Sequence, residues 1–203
     1  MKHKIRNVLG ISCIVIALVF ALFGCNTSSS IAKIDKFYDK LITSDSVTII
    51  VQTSGLNSLI HMEKIDGDKT YYNDGEDYEE YEKYEDGITY LYTKNSMGIW
   101  SKNIESSSAE FEVDNNFLLE EYIYDNFIDS FNSKKYEYDK QTDKYLLKKG
   151  ITSYLLIYNF SNLTLQIFDN GCVFIGDLEN DDCPLLTVTI RNLNDTEIIL
   201  PEV

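Results

Sequence analysis

Apolar residues recur at spacings of three and four through residues 31–42, at Ile31, Ile34, Phe37, Tyr38, Leu41 and Ile42. That spacing lines one face of a helix, and Ser30 is placed to cap it. The β-branched run at 46–54 then predicts a strand, and 58–65 with 69–72 predict a hairpin around Asp66 and Gly67. Tyr78, Tyr81 and Tyr84 fall three apart, a helical hint, but carboxylates interrupt any clean period. Residues 79–85 are therefore expected to form an irregular or edge strand. Asp86-Gly87 and the run 88–93 predict another hairpin, and the sheet is expected to resume at Ile99 and Trp100. After a polar connection at 103–110, a helical stripe returns through Phe117, Leu118, Tyr122, Tyr124, Phe127, Ile128 and Phe131. The last third predicts a meander of short strands, with a turn at Asp169-Asn170-Gly171 and a closing strand near 197–200. Helix, strands, helix, strands is the order of an α+β protein. The expected architecture is a curved antiparallel sheet, eight to ten strands long and unclosed like an opened barrel, packed against two or more helices.

The amino terminus follows another pattern. Lys2, Lys4 and Arg6 precede an uncharged run at 8–24 that ends in Gly24 and Cys25. A basic start and a short apolar core are the pattern of an export signal. The alternative is one spanning helix, for which about 17 apolar residues is the lower limit. Leu22, Phe23, Gly24 and Cys25 resemble the lipobox of bacterial lipoproteins, with Phe23 departing from the small residue usual there. The resemblance implies a diacylglyceryl or palmitate-bearing Cys25 after removal of 1–24, a short polar tether at 25–30, and one domain at 31–203. It also implies a protein held at the cell membrane by its lipid, facing the extracytoplasmic side.

The chain has 18 basic and 33 acidic residues. Loss of Lys2, Lys4 and Arg6 with the leader leaves 15 against 33, a net charge of −18. Such a charge opposes binding to nucleic acid, which requires cations against the phosphates. Fifteen tyrosines and ten phenylalanines set the chain apart from disordered acidic segments, which have few aromatics.

Candidate chemistry is sparse. In an exported chain Cys172 and Cys183 are expected to pair as a disulfide; two free thiols are the alternative. A zinc site is incomplete, because His61 is the one histidine beyond the leader. His61 lies in a strand-like run and is the one base a serine triad could use, so no catalytic residue is assigned and the chain is not expected to be an enzyme. No nucleotide loop is present, and no cofactor is expected. The acidic segment 177–182 reads as a solvated turn, with a weak cation site as the alternative.

The opening helix, the strand meander, the central helix and the ending at 186–203 resemble bacterial lipoproteins related to the LolA lipoprotein carrier and the LprG-like group. Gly87 before the run 88–92, and 198–202 as a last strand, carry that resemblance. It implies a lipid or other apolar ligand between sheet and central helix, with Trp100, Phe117, Tyr122, Tyr124 and Phe127 as candidates for the cavity wall. The same aromatics also suit a filled core. The alternative function is a surface protein–protein interaction or envelope-maintenance module, its partner meeting the tyrosine-rich acidic band at 71–92.

Overall fold

The computed structural model describes residues 30–54, 60–107, 117–178 and 184–203. Helix α1 covers residues 30–42, and Ile34, Phe37 and Leu41 are its buried side. Six strands follow: β1 Ser46–Ser54, β2 Ile60–Asp66, β3 Lys69–Asn73, β4 Glu79–Glu85, β5 Ile88–Lys94 and β6 Trp100–Ser107. Helix α2 spans Phe117–Phe127 and buries Leu119, Ile123 and Phe127, spaced by four. The remaining strands are β7 Tyr136–Asp139, β8 Lys144–Leu147, β9 Ser153–Leu155, β10 Tyr158–Phe160, β11 Leu163–Phe168, β12 Gly171–Asp177 and β13 Leu185–Arg191.

Eleven strands form one antiparallel sheet in the order β6-β5-β4-β3-β2-β1-β13-β12-β11-β8-β7, while β9 and β10 form a separate hairpin. The core lies on one face of the carboxy-terminal part. Ile49 pairs with Ile190, Cys172 with Ile190, and Cys172 with Ile167, so one side of four strands is apolar in register. The rings of Phe37, Phe131, Phe127 and Phe174 connect this face to the helices, with Phe131 and Phe174 edge-on at 5.1 Å.

The α+β class and the antiparallel sheet agree with the expectation, but the barrel-like curl does not form. The sheet is open, neither curled nor closed, and its end strands β6 and β7 lie ten strand steps apart. Curling around the helices would bring the inner face against them and needs apolar residues there to bury. On β3–β5 the helix-facing positions instead carry Thr70, Tyr72, Glu80, Glu82, Thr89 and Leu91, none of them buried. Residues 79–85 form a regular inner strand between β3 and β5, and β6 is the edge. The segment 197–200 is not a strand either. It belongs to a strap that crosses over the start of β1 and the β2–β3 hairpin and meets side chains in place of a ladder. Thr196 N–H donates to Ser46 Oγ, Thr48 and Thr196 hydroxyls meet at 2.9 Å, and Ile198 N–H donates to Asp66 Oδ2 at 3.0 Å.

Asp129, just beyond α2, fastens the helical layer to β9. Its carboxylate accepts from Lys135 Nζ at 2.6 and 2.7 Å and from Tyr154 N–H at 2.6 Å. Burial pushes its pKa up, but the Lys135 and Tyr154 hydrogen bonds outweigh burial and hold it below the ordinary carboxylate range. A depressed folded pKa contributes stability above the unfolded value, which is lost as pH falls through the folded one. Asp129→Asn should therefore be less stable than wild type at neutral pH, with the gap shrinking in acid. Urea midpoints measured down a pH series check this; a gap independent of pH would contradict it.

Candidate interaction surface

Beyond β2 the sheet outgrows its helices. In β3 and β4 every residue except Glu85 is half-buried, and in β5 Tyr92 alone is buried. Strands β3–β6 thus make a wing with water on both faces. Period-two alternation then sorts the tyrosine–acid band into two chemically different surfaces.

One face is aromatic and basic. The register aligns Lys64 with Tyr71, Tyr71 with Tyr81, Tyr81 with Tyr92, and Tyr92 with Lys102. Lys69 pairs with Lys83, Lys83 with Tyr90, and Lys94 with Trp100. All five lysines between residues 60 and 107 therefore lie on this side. The Tyr71 and Tyr81 ring centroids are 4.8 Å apart, and Trp100 stands edge-on to Tyr81 at 5.3 Å. Lys102 Nζ sits 3.7 Å from the Tyr90 centroid, and Lys64 lies 5.2 Å from that of Tyr71. These are cation–π distances, which hold the ammonium groups against the rings. Glu79 and Glu85 on the same face are matched by Lys94 at 3.8 Å and Lys83 at 3.0 Å. Burial, then the Glu79 carboxylate, pushes the Tyr71 hydroxyl up to about 12, so it is a neutral donor at physiological pH.

The other face is acidic. Glu63 pairs with Tyr72, Tyr72 with Glu80, and Thr70 with Glu82. An open cleft of about 330 Å³ lies here, its wall shared between Glu63, Glu80 and Glu82 and the less polar Ile65, Tyr72 and Tyr122, with Lys64, Thr70 and Tyr71 completing it. Burial raises the Glu82 pKa, and the like charges of Glu105 and Glu80 raise it further. Burial also raises the Tyr122 pKa, with the nearby Glu63 carboxylate adding to it. His61 is on this side too, 3.6 Å from Glu63 and with its ring 5.9 Å from that of Tyr72.

Of the five aromatics considered as a cavity wall, Trp100, Tyr122, Tyr124 and Phe127 do not converge. Phe127 is wholly buried in the core, Tyr122 borders the acidic cleft, and Tyr124 is exposed on α2. Trp100 lies on the opposite face of the sheet, at its far edge. Phe117 is the first residue of α2.

The expected disulfide is corrected. Cys172 is a free, buried thiol, and Cys183 lies outside the described residues. The register gives the reason. Cys172 pairs with Ile190, whereas the loop that contains Cys183 leaves the sheet at Asp177 and Leu185, five residues further along β12. At ~3.4 Å per residue that is about 17 Å, against the ~4.4–6.8 Å between Cα atoms that a disulfide spans. Cys25 and residues 179–182 of the acidic segment also fall outside the described part. Among the described residues no group of three or more acidic, histidine or cysteine side chains is arranged to hold a metal, and no helix is long and apolar enough to cross a membrane.

The sequence reading missed the lysines. The signal was present, because in residues 60–107 each lysine falls on the parity that the register assigns to Tyr71, Tyr81 and Tyr90. It was hidden by the assumption that 79–85 is irregular. No protein-family model matches the chain, and comparison with curated proteins finds no match. The fold and surface therefore define its class on their own: an α+β protein whose antiparallel sheet extends past its helical cover as a two-faced wing.

Proposed function

We propose that this chain is an extracytoplasmic lipoprotein, held at the cell membrane through Cys25, and that its β3–β6 wing binds a protein partner. The observation that carries the reading is the separation of charge on an uncovered sheet: lysines and aromatic rings on one face, carboxylates on the other. Tyrosine and tryptophan supply large contact area with a polar handle and dominate protein–protein contacts. Complementary charge fixes which partner docks and in which orientation. The edge strand β6 adds backbone groups to which an extended segment can pair. A lipid cavity has less support, because Phe127 is closed off in the core and the cleft beside Tyr122 is open and carries three carboxylates.

Two measurements test this reading. Cys25→Ala should shift the protein from the membrane to the soluble fraction, because the acyl chains supply its membrane affinity. In the anchored protein, a photo-crosslinking side chain at Tyr81 or Trp100 should yield a discrete protein adduct, weakened by Lys83→Glu with Lys102→Glu. The same group at Glu121, outside the wing on α2, should yield none. Absence of any adduct from Tyr81 and from Trp100 overturns the reading, and non-covalent lipid co-purifying in stoichiometric amount would favour a carrier instead.

A further inference from the structure

The β9–β10 hairpin is small, and its tip is unusual. Leu155 pairs with Tyr158, leaving Leu156 and Ile157 as a two-residue turn. Leu156 has φ +55°, a region that disfavours a residue with a Cβ. Two contacts hold it there. Its N–H donates to the Asn126 carbonyl at 2.9 Å, and its side chain packs against the core. With Leu156 pinned inward, Ile157 projects outward and is 83% exposed. Tyr154 and Tyr158 flank it, both exposed, and Ile151 is exposed nearby in the chain. The Tyr158 ring lies 6.4 Å from that of buried Phe160, and Ile157 and Tyr154 are the more exposed members of the tip.

Charge singles out the same region. No aspartate or glutamate occurs between Asp143 and Asp169, the longest acid-free stretch after the leader, in a chain with 33 acidic residues. Exposed Lys148 and Lys149 lie within it. The carboxylate nearest the hairpin, Asp129, is tied up by Lys135 and the Tyr154 N–H. An exposed isoleucine between tyrosines, in a segment with lysines and no acids of its own, has the composition of an element that sits at a lipid–water interface.

The tether fixes where that element points. Ser30, at the start of α1, gives its carbonyl to the Tyr145 hydroxyl at 2.8 Å, and Tyr145 pairs with Leu165 on β11. Ten residues on, Lys40 donates to the Asp169 carbonyl, past the other end of β11. The start of α1 is thus nearer the Leu163 end of β11, which is the end where the hairpin joins the sheet. Five residues separate Cys25 from Ser30 and reach at most ~18 Å. A domain of this length has a radius of gyration of about 16 Å. The tether is shorter than the domain is wide, so the end bearing Ser30 must face the bilayer that holds the lipid.

We infer that the hairpin tip, Ile157 with Tyr154 and Tyr158, docks into the interface of the same membrane that carries the Cys25 anchor. This rests on the anchoring reading above. The docked hairpin turns a loose tether into an oriented mount. Trp100 lies nine strand spacings from β8 in the sheet, about 40 Å away across the strands.

The chain's single tryptophan makes the test direct. The lipidated full-length protein is reconstituted in phosphatidylcholine–phosphatidylglycerol vesicles with and without bromine on the upper acyl chain. Wild type reports from Trp100. Ile157→Trp and, separately, Tyr154→Trp, each in a Trp100→Phe background, report from the tip, where an exposed position tolerates the larger ring. Brominated lipid should roughly halve emission from the tip, as insertion to the acyl boundary requires. Protein that floats with the vesicles while the tip stays unquenched overturns the docking and leaves the anchor standing. Emission from that unquenched tip that shifts with protein density would assign it to a second copy of the chain. Protein that fails to float overturns anchor and docking together.

Discussion

Phe127→Ala should destabilise the protein by about 4 kcal/mol, the range for truncating a fully buried phenylalanine. The ring is 0% exposed, 6.3 Å from the Tyr122 ring and 6.4 Å from that of Phe174. It therefore joins α2 to the centre of β12. Its removal leaves a void that the surrounding strands, fixed in register, fill only in part. Urea unfolding of the full-length protein measures the loss as a lower midpoint at unchanged slope. The same substitution separates the two readings of the aromatic stripe. A loss under about 1 kcal/mol, accompanied by binding of an apolar dye, would mean that Phe127 borders a ligand space and that the filled core is wrong.

Gly171→Ala should cost about 3 kcal/mol, the upper part of the range for overpacking. A Cβ at this position would lie 2.3 Å from the Ile190 carbonyl oxygen and 3.1 Å from the Arg191 Cα. Both are backbone atoms of the neighbouring strand, so no side-chain rotation relieves the clash. The control is Gly67→Ala in the β2–β3 turn. There φ is +58° and nothing lies within 4 Å, so the penalty is conformational alone, about 1 kcal/mol. Thermal unfolding of the two variants should rank them in that order. A Gly171→Ala protein as stable as wild type would mean that β12 and β13 separate more readily than the paired register from Gly171 to Asp177 implies.

The division of labour within the sheet follows from where its apolar residues are. Strands β1, β13, β12 and β11 are apolar on one side and are covered by helices, and they provide the stability. Strands β3–β6 have little to bury and are held by their ladders, by cross-strand rings and by lysines lying over those rings. Such a wing is free to display both faces.

Much of the architecture was legible along the chain, because it depends on local periodicity. Ile34, Phe37 and Leu41 in α1 read as a buried stripe from their spacing alone, whereas in α2 only Phe127 of the expected stripe is buried within the helix, beside Leu119 and Ile123, and Tyr124 with Ile128 beyond it is exposed. Asp86-Gly87 carries a two-residue turn with φ of +53° and +77°, as that dipeptide favours. Other features depended on neighbours distant in sequence. Asn170-Gly171 pointed correctly to a hairpin, yet Gly171 is required by the Ile190 carbonyl on β13 and has no left-handed φ. The closing segment 197–200 has the composition of a strand, but it crosses the β1–β3 region, where Asp66 and Lys69 take its hydrogen bonds. Cys172 and Cys183 are close in sequence, but an extended strand carries the chain away at ~3.4 Å per residue. An unclosed sheet was expected, and its lack of curl was the least legible property. Curl depends on all eleven strands together, and only their registered faces reveal that the inner side changes from apolar to polar beyond β2. The same registration decides the function proposed for the wing: composition supplies tyrosines, lysines and glutamates in one band, and pairing distributes them to opposite sides.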